Sequence, residues 1–187
     1  YNQIDTAVDI VRRLSEIAET YVVTGDHDTD ERYSDGIKSL NNVHLLDYKK
    51  VDLTVNGTKL SLYGIDNVYF SPSFDLHNEF DEPDQSRLNI LLSHLPETEH
   101  FENFGVDIIF SGDTHGGMIR LPVIGPLYYN GFVLPRLTYP DRMTDKGLYS
   151  FADKQIFVTS GIGNYPIPLR FLNRPEVCLV TLKNTEN

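Results

Sequence analysis

Cysteine is almost missing from this chain. Cys178 is the single one among 187 residues, which excludes an intrachain disulfide framework and a cysteine-built zinc cage. Its setting, Val177-Cys178-Leu179-Val180, reads as the middle of an apolar strand, so the thiol is expected to be buried and unreactive. Positive charge is scarce as well. Sixteen Lys and Arg face 27 Asp and Glu, a formal net charge of -11. With no basic stripe to neutralise a phosphate backbone, nucleic acid is excluded as a partner, whereas the carboxylate excess suits divalent cations. No apolar run approaches the roughly 20 residues of a membrane-spanning helix, and no signal-peptide pattern opens the chain. Repeats, low-complexity tracts and linkers are absent too. What is present, 40% apolar and 23% charged residues, has globular proportions in a length suited to one domain, 1–187, with a sizeable core.

In chain order, residues 5–20 read as an amphipathic helix, with Ala7, Val11, Leu14 and Ala18 on one stripe reinforced by Ile10 and Ile17. A short strand follows at 21–24, then an acidic loop, 26–35, and a helical turn at 36–40. Residues 43–46, 51–55 and 59–64 are strand-like, and Asn56-Gly57 between the last two is a hairpin turn signal because both residues tolerate positive φ. Residues 67–84 read as a loop with a short helix inside it. Two apolar β-branched runs, 88–93 and 106–110, are expected to be buried strands. Residues 120–145, with four prolines, read as a long surface excursion. A second hairpin is expected at 147–151 and 155–159, and a final strand at 177–182.

Three of these strands end in residues that can bind metal. Residues 106–110 run into Ser111-Gly112-Asp113-Thr114-His115-Gly116-Gly117, where a small Gly-rich turn presents an Asp and a His at the carboxyl edge of a sheet, the place where α/β proteins put ligands. Val22-Val23-Thr24-Gly25 delivers Asp26, His27 and Asp28, and Ile90-Leu91-Leu92-Ser93 delivers His94. Asp-x-His by itself is weak, since a Gly-rich turn with incidental polar residues looks the same. His94 alone could be a satisfied core histidine, and Asp26 a loop cap. Three ligand-bearing strand ends in one chain favour a metal site. His44, His77 and His100 stand in no such pattern and read as surface or loop histidines.

Taken together, the three strand ends resemble the calcineurin-like metallophosphoesterases. Gly25-Asp26-His27-Asp28 resembles that family's Gly-Asn-His-Asp/Glu. Ser93-His94 with Pro96 resembles its lone-histidine strand end, and Gly112-Asp113-Thr114-His115-Gly116-Gly117 its Gly-His-Thr-His-Gly-Gly. Residues 119–122 and 161–176 are similar to a bacterial branch of membrane-associated phosphohydrolases, some of which act on lipid-linked UDP-sugars. The resemblance implies a four-layer α/β/β/α sandwich carrying a phosphoester or pyrophosphate hydrolase, in which two divalent cations clamp the phosphate and activate hydroxide for in-line attack. By position, Asp26, His94 and Asp113 would hold one cation and His115 the other. His27 would contact the phosphate and assist the leaving group, with Asp28 orienting His27. Segments 67–84 and 120–145 would shape the pocket for a phosphorylated small molecule or a lipid-linked substrate.

Two departures from the family pattern set the metal. Its Asn is Asp26 here, and the first His of its Gly-His-x-His is Asp113. Both changes bring hard oxygen donors, favouring manganese, with magnesium, calcium, iron or zinc as alternatives. Without a cation, two such carboxylates at about 4 Å repel by on the order of 4 kcal/mol at an effective dielectric near 20. A third departure is an absence: the family's opening Asp-x-His and its Gly-Asp-x-x-Asp do not occur. The chain is therefore expected to be N-terminally incomplete, a fragment or a natural half-site, and weak or inactive alone. The resemblance places it at a membrane through that missing segment, and otherwise in the cytoplasm. The competing expectation is a degenerate phosphoesterase-like domain that binds one cation or a partner and does no chemistry.

Overall fold

A computed structural model describes residues 3–66, 74–129, 132–133, 144–164 and 169–183. The chain divides into two compact units, Tyr1–Asp113 with Tyr149–Phe157, and Thr114–Leu148 with Val158–Asn187.

The first unit opens with α1 (Gln3–Ser15), β1 (Thr20–Val22), α2 (Glu31–Lys38) and β2 (Val43–Leu45). Helix α1 stops earlier than its apolar pattern promised. Ile17 and Ala18 both bond back to the Leu14 carbonyl, and Ile17 is left 84% exposed rather than on the buried stripe. Helix α2 begins inside the stretch that reads as an acidic loop, because the Asp30 side chain caps it by accepting the Arg32 N–H. The two helices lie close together: a Cβ on Gly36 would sit 2.9 Å from Val8 Cγ2. Strands β1 and β2 pair in parallel as a two-stranded sheet.

A six-stranded sheet forms the rest of this unit. Its strands are β3 (Lys49–Val55), β4 (Thr58–Ile65), β5 (Leu88–Ser93), β6 (Ile108–Ser111), β11 (Gly147–Phe151) and β12 (Lys154–Val158), in the order β11-β12-β6-β5-β4-β3. The hairpin β3–β4 turns at Asn56 and Gly57, φ 51 and 82. Strands β4, β5 and β6 are parallel, with Ile65 level with Ser93 and Ser93 with Ser111, so their carboxyl ends finish side by side. Strand alternation sorts the two faces. Leu62 and Ile90 face Leu46, and Tyr21, Val23, Val51, Leu88, Leu92 and Phe110 complete this core between the two sheets. On the other face Tyr63 meets Phe80 and Phe104 edge-on, beneath a 3-10 turn at Leu76–Asn78 and the short α3 (Thr98–Phe101). Helices, small sheet, large sheet and short helices give the α/β class with the expected layering. The 3-10 turn falls within 67–84, where a short helix was expected; residues 67–73 lie outside the described residues.

The second unit is built from short pieces: β7 (Arg120–Leu121) pairs with β8 (Gly125–Pro126), and β9 (Tyr128–Tyr129) with β10 (Phe132–Val133). The surface excursion read over 120–145 thus contains two tiny hairpins, while 130–131 and 134–143 lie outside the described residues. The expected final strand at 177–182 is not formed. Glu176 still bonds to the Gly161 carbonyl, but 177–182 pairs with no strand among the described residues, leaving Val177 83% and Leu179 96% exposed. Cys178 is correspondingly exposed, not buried. An alternating apolar pattern buries side chains only when a neighbouring strand or layer covers it.

Candidate metal centre

Loops that follow β1 of the small sheet and β5 and β6 of the large sheet bring Asp26, His94 and Asp113 together. Gly25 ends the β1 segment, and two side-chain anchors fix the loop that follows. Asp47 accepts the Thr24 N–H at 2.8 Å and the Thr24 hydroxyl at 3.0 Å. Asp28 accepts the Gly25 N–H at 2.8 Å, and the Asp28 N–H returns to the Gly25 carbonyl at 3.0 Å. That closed turn leaves Asp26 and His27 at its tip. After β5 and β6, the Gly112 N–H donates to the His94 carbonyl at 3.2 Å, and the Ser93 hydroxyl donates to Leu95 at 2.8 Å. Asp113 takes a left-handed φ of 60, a conformation Asp tolerates better than most residues. Close packing also requires Gly25, since a Cβ there would lie 2.6 Å from His94 Cε1.

His94 Nε2 faces both carboxylates, Asp26 Oδ1 at 3.2 Å and Asp113 Oδ1 at 3.4 Å, with all three side chains 22–24% exposed. Carboxylates only accept, so without a cation Nε2 carries the proton. Burial, the largest influence, opposes a charged imidazole, but Asp113 and then Asp26 outweigh it and raise the His94 pKa above its ordinary value. One ligand atom from each residue falls within 4.8 Å of the others. Two anionic oxygens and an imidazole nitrogen, already drawn together around one point, fit a divalent cation in place of that proton. The setting behind the loop is anionic too: the Tyr33 hydroxyl is pushed up to about 12, by burial first and then by Asp28 and Asp47.

The remaining candidates fall as follows. His27 is exposed at 58% and its Nε2 stands 3.4 Å from Asp26 Oδ2. Asp28 braces the turn through Gly25, as above. His115 belongs to the second unit, in a 3-10 turn whose Thr114 hydroxyl donates to the buried Asp145 carbonyl at 2.5 Å. There Arg120 is paired with Asp145 and donates to the Gly116 carbonyl at 2.8 Å, and Arg170 is engaged with backbone carbonyls. Asp47, which braces the Asp26 loop from 23 positions away, was not picked out from sequence; its only local mark is that it directly follows a strand.

A family model described as calcineurin-like phosphoesterase matches residues 2–117, so the chain belongs to the calcineurin-like phosphoesterase family. Among curated proteins it is 27% identical to an uncharacterized metallophosphoesterase, YkuE of Bacillus subtilis, over 99% of this chain and 63% of that protein. It is 32% identical to the UDP-2,3-diacylglucosamine pyrophosphatase LpxG of Chlamydia trachomatis over 60% of this chain and 34% of that protein. It is 27% identical to the phosphodiesterase YaeI of Escherichia coli over 93% of this chain and 62% of that protein. The chain therefore spans less than two thirds of each of these relatives. No solved structure matches it.

Proposed function

We propose that the protein is a metal-dependent hydrolase of phosphoester or pyrophosphate bonds, with manganese as the cation its donor set favours. The observation that carries this reading is the meeting of Asp26, His94 and Asp113 within 4.8 Å, the last two just beyond the carboxyl ends of the paired strands β5 and β6. A divalent cation held there supplies positive charge against phosphate oxygens and acidifies water. Around it, Asp26 and Asp113 fix the cation's place, and His94 gives up its proton to join them. His27, exposed beside Asp26, contacts the phosphate and passes a proton to the leaving oxygen, while Asp28 holds the turn that aims His27. His115 serves a second cation. Both units form one phosphoesterase domain, a reading supported by a family match that runs past Asp113 into the second unit.

The relatives' chemistry supports a substrate class. A diacylglucosamine pyrophosphatase and a phosphodiesterase support a phosphorylated small molecule or a lipid-linked pyrophosphate as substrate, and with it work at a membrane surface. No helix among the described residues is long and apolar enough to cross a membrane.

Manganese titration by calorimetry tests the reading, with Asp113→Ala as control and a phosphodiester hydrolysis assay on the full-length protein. A one-to-one site lost in the variant, together with manganese-dependent hydrolysis, is expected. Binding indifferent to Asp113 overturns the site. Binding without hydrolysis would leave a cation-binding, non-catalytic member of the family.

A further inference from the structure

In the second unit the main chain around His115 is held in an unfavourable shape by side chains from far along the sequence. φ is positive at His115 (49), Gly116 (64), Gly117 (75) and Met118 (46), the left-handed region disfavoured for residues with a Cβ. Asn173, only 4% exposed, donates from Nδ2 to the His115 carbonyl at 2.6 Å. Arg170 Nη1 reaches the same carbonyl at 3.4 Å. The rest of the guanidinium spreads over the neighbouring loop: Nη2 donates to the Ser160 carbonyl at 2.7 Å and to that of Gly163, and Nε to the Gly163 carbonyl at 3.1 Å. Gly116 must remain glycine beneath this arrangement, because a Cβ there would lie 2.8 Å from Asn173 Oδ1 and 2.9 Å from Ser160 Cβ.

The imidazole is addressed by the same loop. His115 Nδ1 lies 3.3 Å from the Gly163 carbonyl, and a carbonyl can only accept. Nδ1 therefore carries the proton in the neutral ring, leaving Nε2 with its lone pair, the tautomer that a metal-binding histidine needs. Arg170 grips the two carbonyls that matter: that of His115 itself and that of Gly163, which selects the tautomer.

We propose that Arg170 and Asn173 are positioning residues for His115, fixing its left-handed backbone and its Nδ1–H tautomer so that Nε2 is presented to a cation. This rests on the reading of His115 as a metal ligand given above. A guanidinium suits the task because its planar fork of donors engages several carbonyls at once, as an ammonium cannot. The tail segment carrying Arg170 and Asn173 thereby acquires a function besides packing: it sets the donor state of a residue more than fifty positions upstream.

The test is NMR on the full-length protein, comparing the parent with Asn173→Leu and Arg170→Lys. In the metal-free parent at mildly alkaline pH, imidazole nitrogen shifts should report the Nδ1–H form at His115, and a strong intraresidue amide-to-Hα NOE its positive φ. Both signatures should weaken in each variant, while the corresponding NOE at Asn56, in the β3–β4 turn, persists as a control for folding. With manganese added, the apparent affinity read from broadening of the His115 ring should fall about 10- to 100-fold, the usual effect of outer-shell partners, and that read from His94 should not. Variants that keep the tautomer and the NOE overturn the proposal. Arg170→Lys retains the charge and leaves Asn173 in place, so it carries the test should Asn173→Leu fail to fold. If manganese leaves the His115 ring of the parent unbroadened while the metal-free signatures respond to both variants, the positioning stands and the ligand reading of His115 falls.

Discussion

A Cβ added to Gly25 would stand 2.6 Å from His94 Cε1 and 2.7 Å from its Nδ1, whereas one added to Gly112 would meet nothing within 4 Å. Both glycines follow a strand and precede an aspartate in the sequence, yet only one is pressed against an imidazole. Gly25→Ala must therefore push the His94 ring away from Asp26 and Asp113, at a typical overpacking cost of about 1–3 kcal/mol. The expected result is a loss of manganese affinity of roughly 10- to 100-fold, comparable to removing an outer-shell partner. Gly112→Ala should leave affinity near that of the parent. Calorimetric titration of both variants checks this, and equal losses in the two would show that the ring accommodates the methyl group. At this scale the candidate site was legible where its signals are local. An apolar run, a glycine and a ligand-type side chain lie next to one another in the sequence, and so Asp26, His94 and Asp113 could be named. The bracing residues were not legible, because the contacts that define them are remote: Asp47 holds Thr24 from 23 positions away and Gly163 meets His115 from 48.

At the scale of the element, the β3–β4 hairpin is specified by its turn. Val55 pairs with Thr58, leaving Asn56 and Gly57 as a two-residue loop with φ of 51 and 82, the primed geometry that matches strand twist. Nothing lies within 4 Å of a Cβ built on Gly57, so Gly57→Ala is sterically free and its penalty is conformational. A left-handed alanine costs about 1–2 kcal/mol. Chemical denaturation should show that loss as a lower midpoint with an unchanged slope, and an unchanged midpoint would mean the turn had adopted another type. The hairpins and strands β5 and β6 could be placed from pattern because turn chemistry and apolar runs are properties of neighbouring residues. Helix α2 could not, because its start depends on one Asp within an acidic run engaging the Arg32 N–H. Nor could the fate of 177–182. Its apolar residues describe a strand in search of a neighbour, and whether one is supplied is not a property of the segment.

For the whole molecule, acid is the informative stress. At a formal charge of -11, lowering the pH towards the pI of about 4.8 relieves self-repulsion, which by itself favours the compact state. Linkage works against it. Glu176 is held down to about 2: burial opposes its charge, but Lys146 at 2.6 Å and the Ser160 N–H at 2.9 Å outweigh that. Asp30 is likewise lowered to about 2, through its bonds with Arg32. Asp52, Asp75, Asp84 and Asp153 are also lowered, by Ser61, the His77 N–H, the Ser86 N–H and Lys154 respectively. Against these, Asp66 is raised by burial. A carboxylate whose folded pKa lies below its unfolded value stabilises the fold above that unfolded value, and the contribution is lost as pH falls through the folded one. For Glu176 the window runs from its ordinary 4.5 down to about 2. Among the described residues six lowered carboxylates stand against one raised, so over this window the unfolded chain takes up more protons; the window lies below the pI of about 4.8, where positive charge builds up, and stability falls. Thermal unfolding followed across it should show the midpoint dropping steadily. Glu176→Gln should flatten the curve by removing that group's share, with little further loss at the acid end. A midpoint that holds or rises as pH falls from 4.5 to about 2 would mean that the paired carboxylates do not govern the response of this molecule to acid.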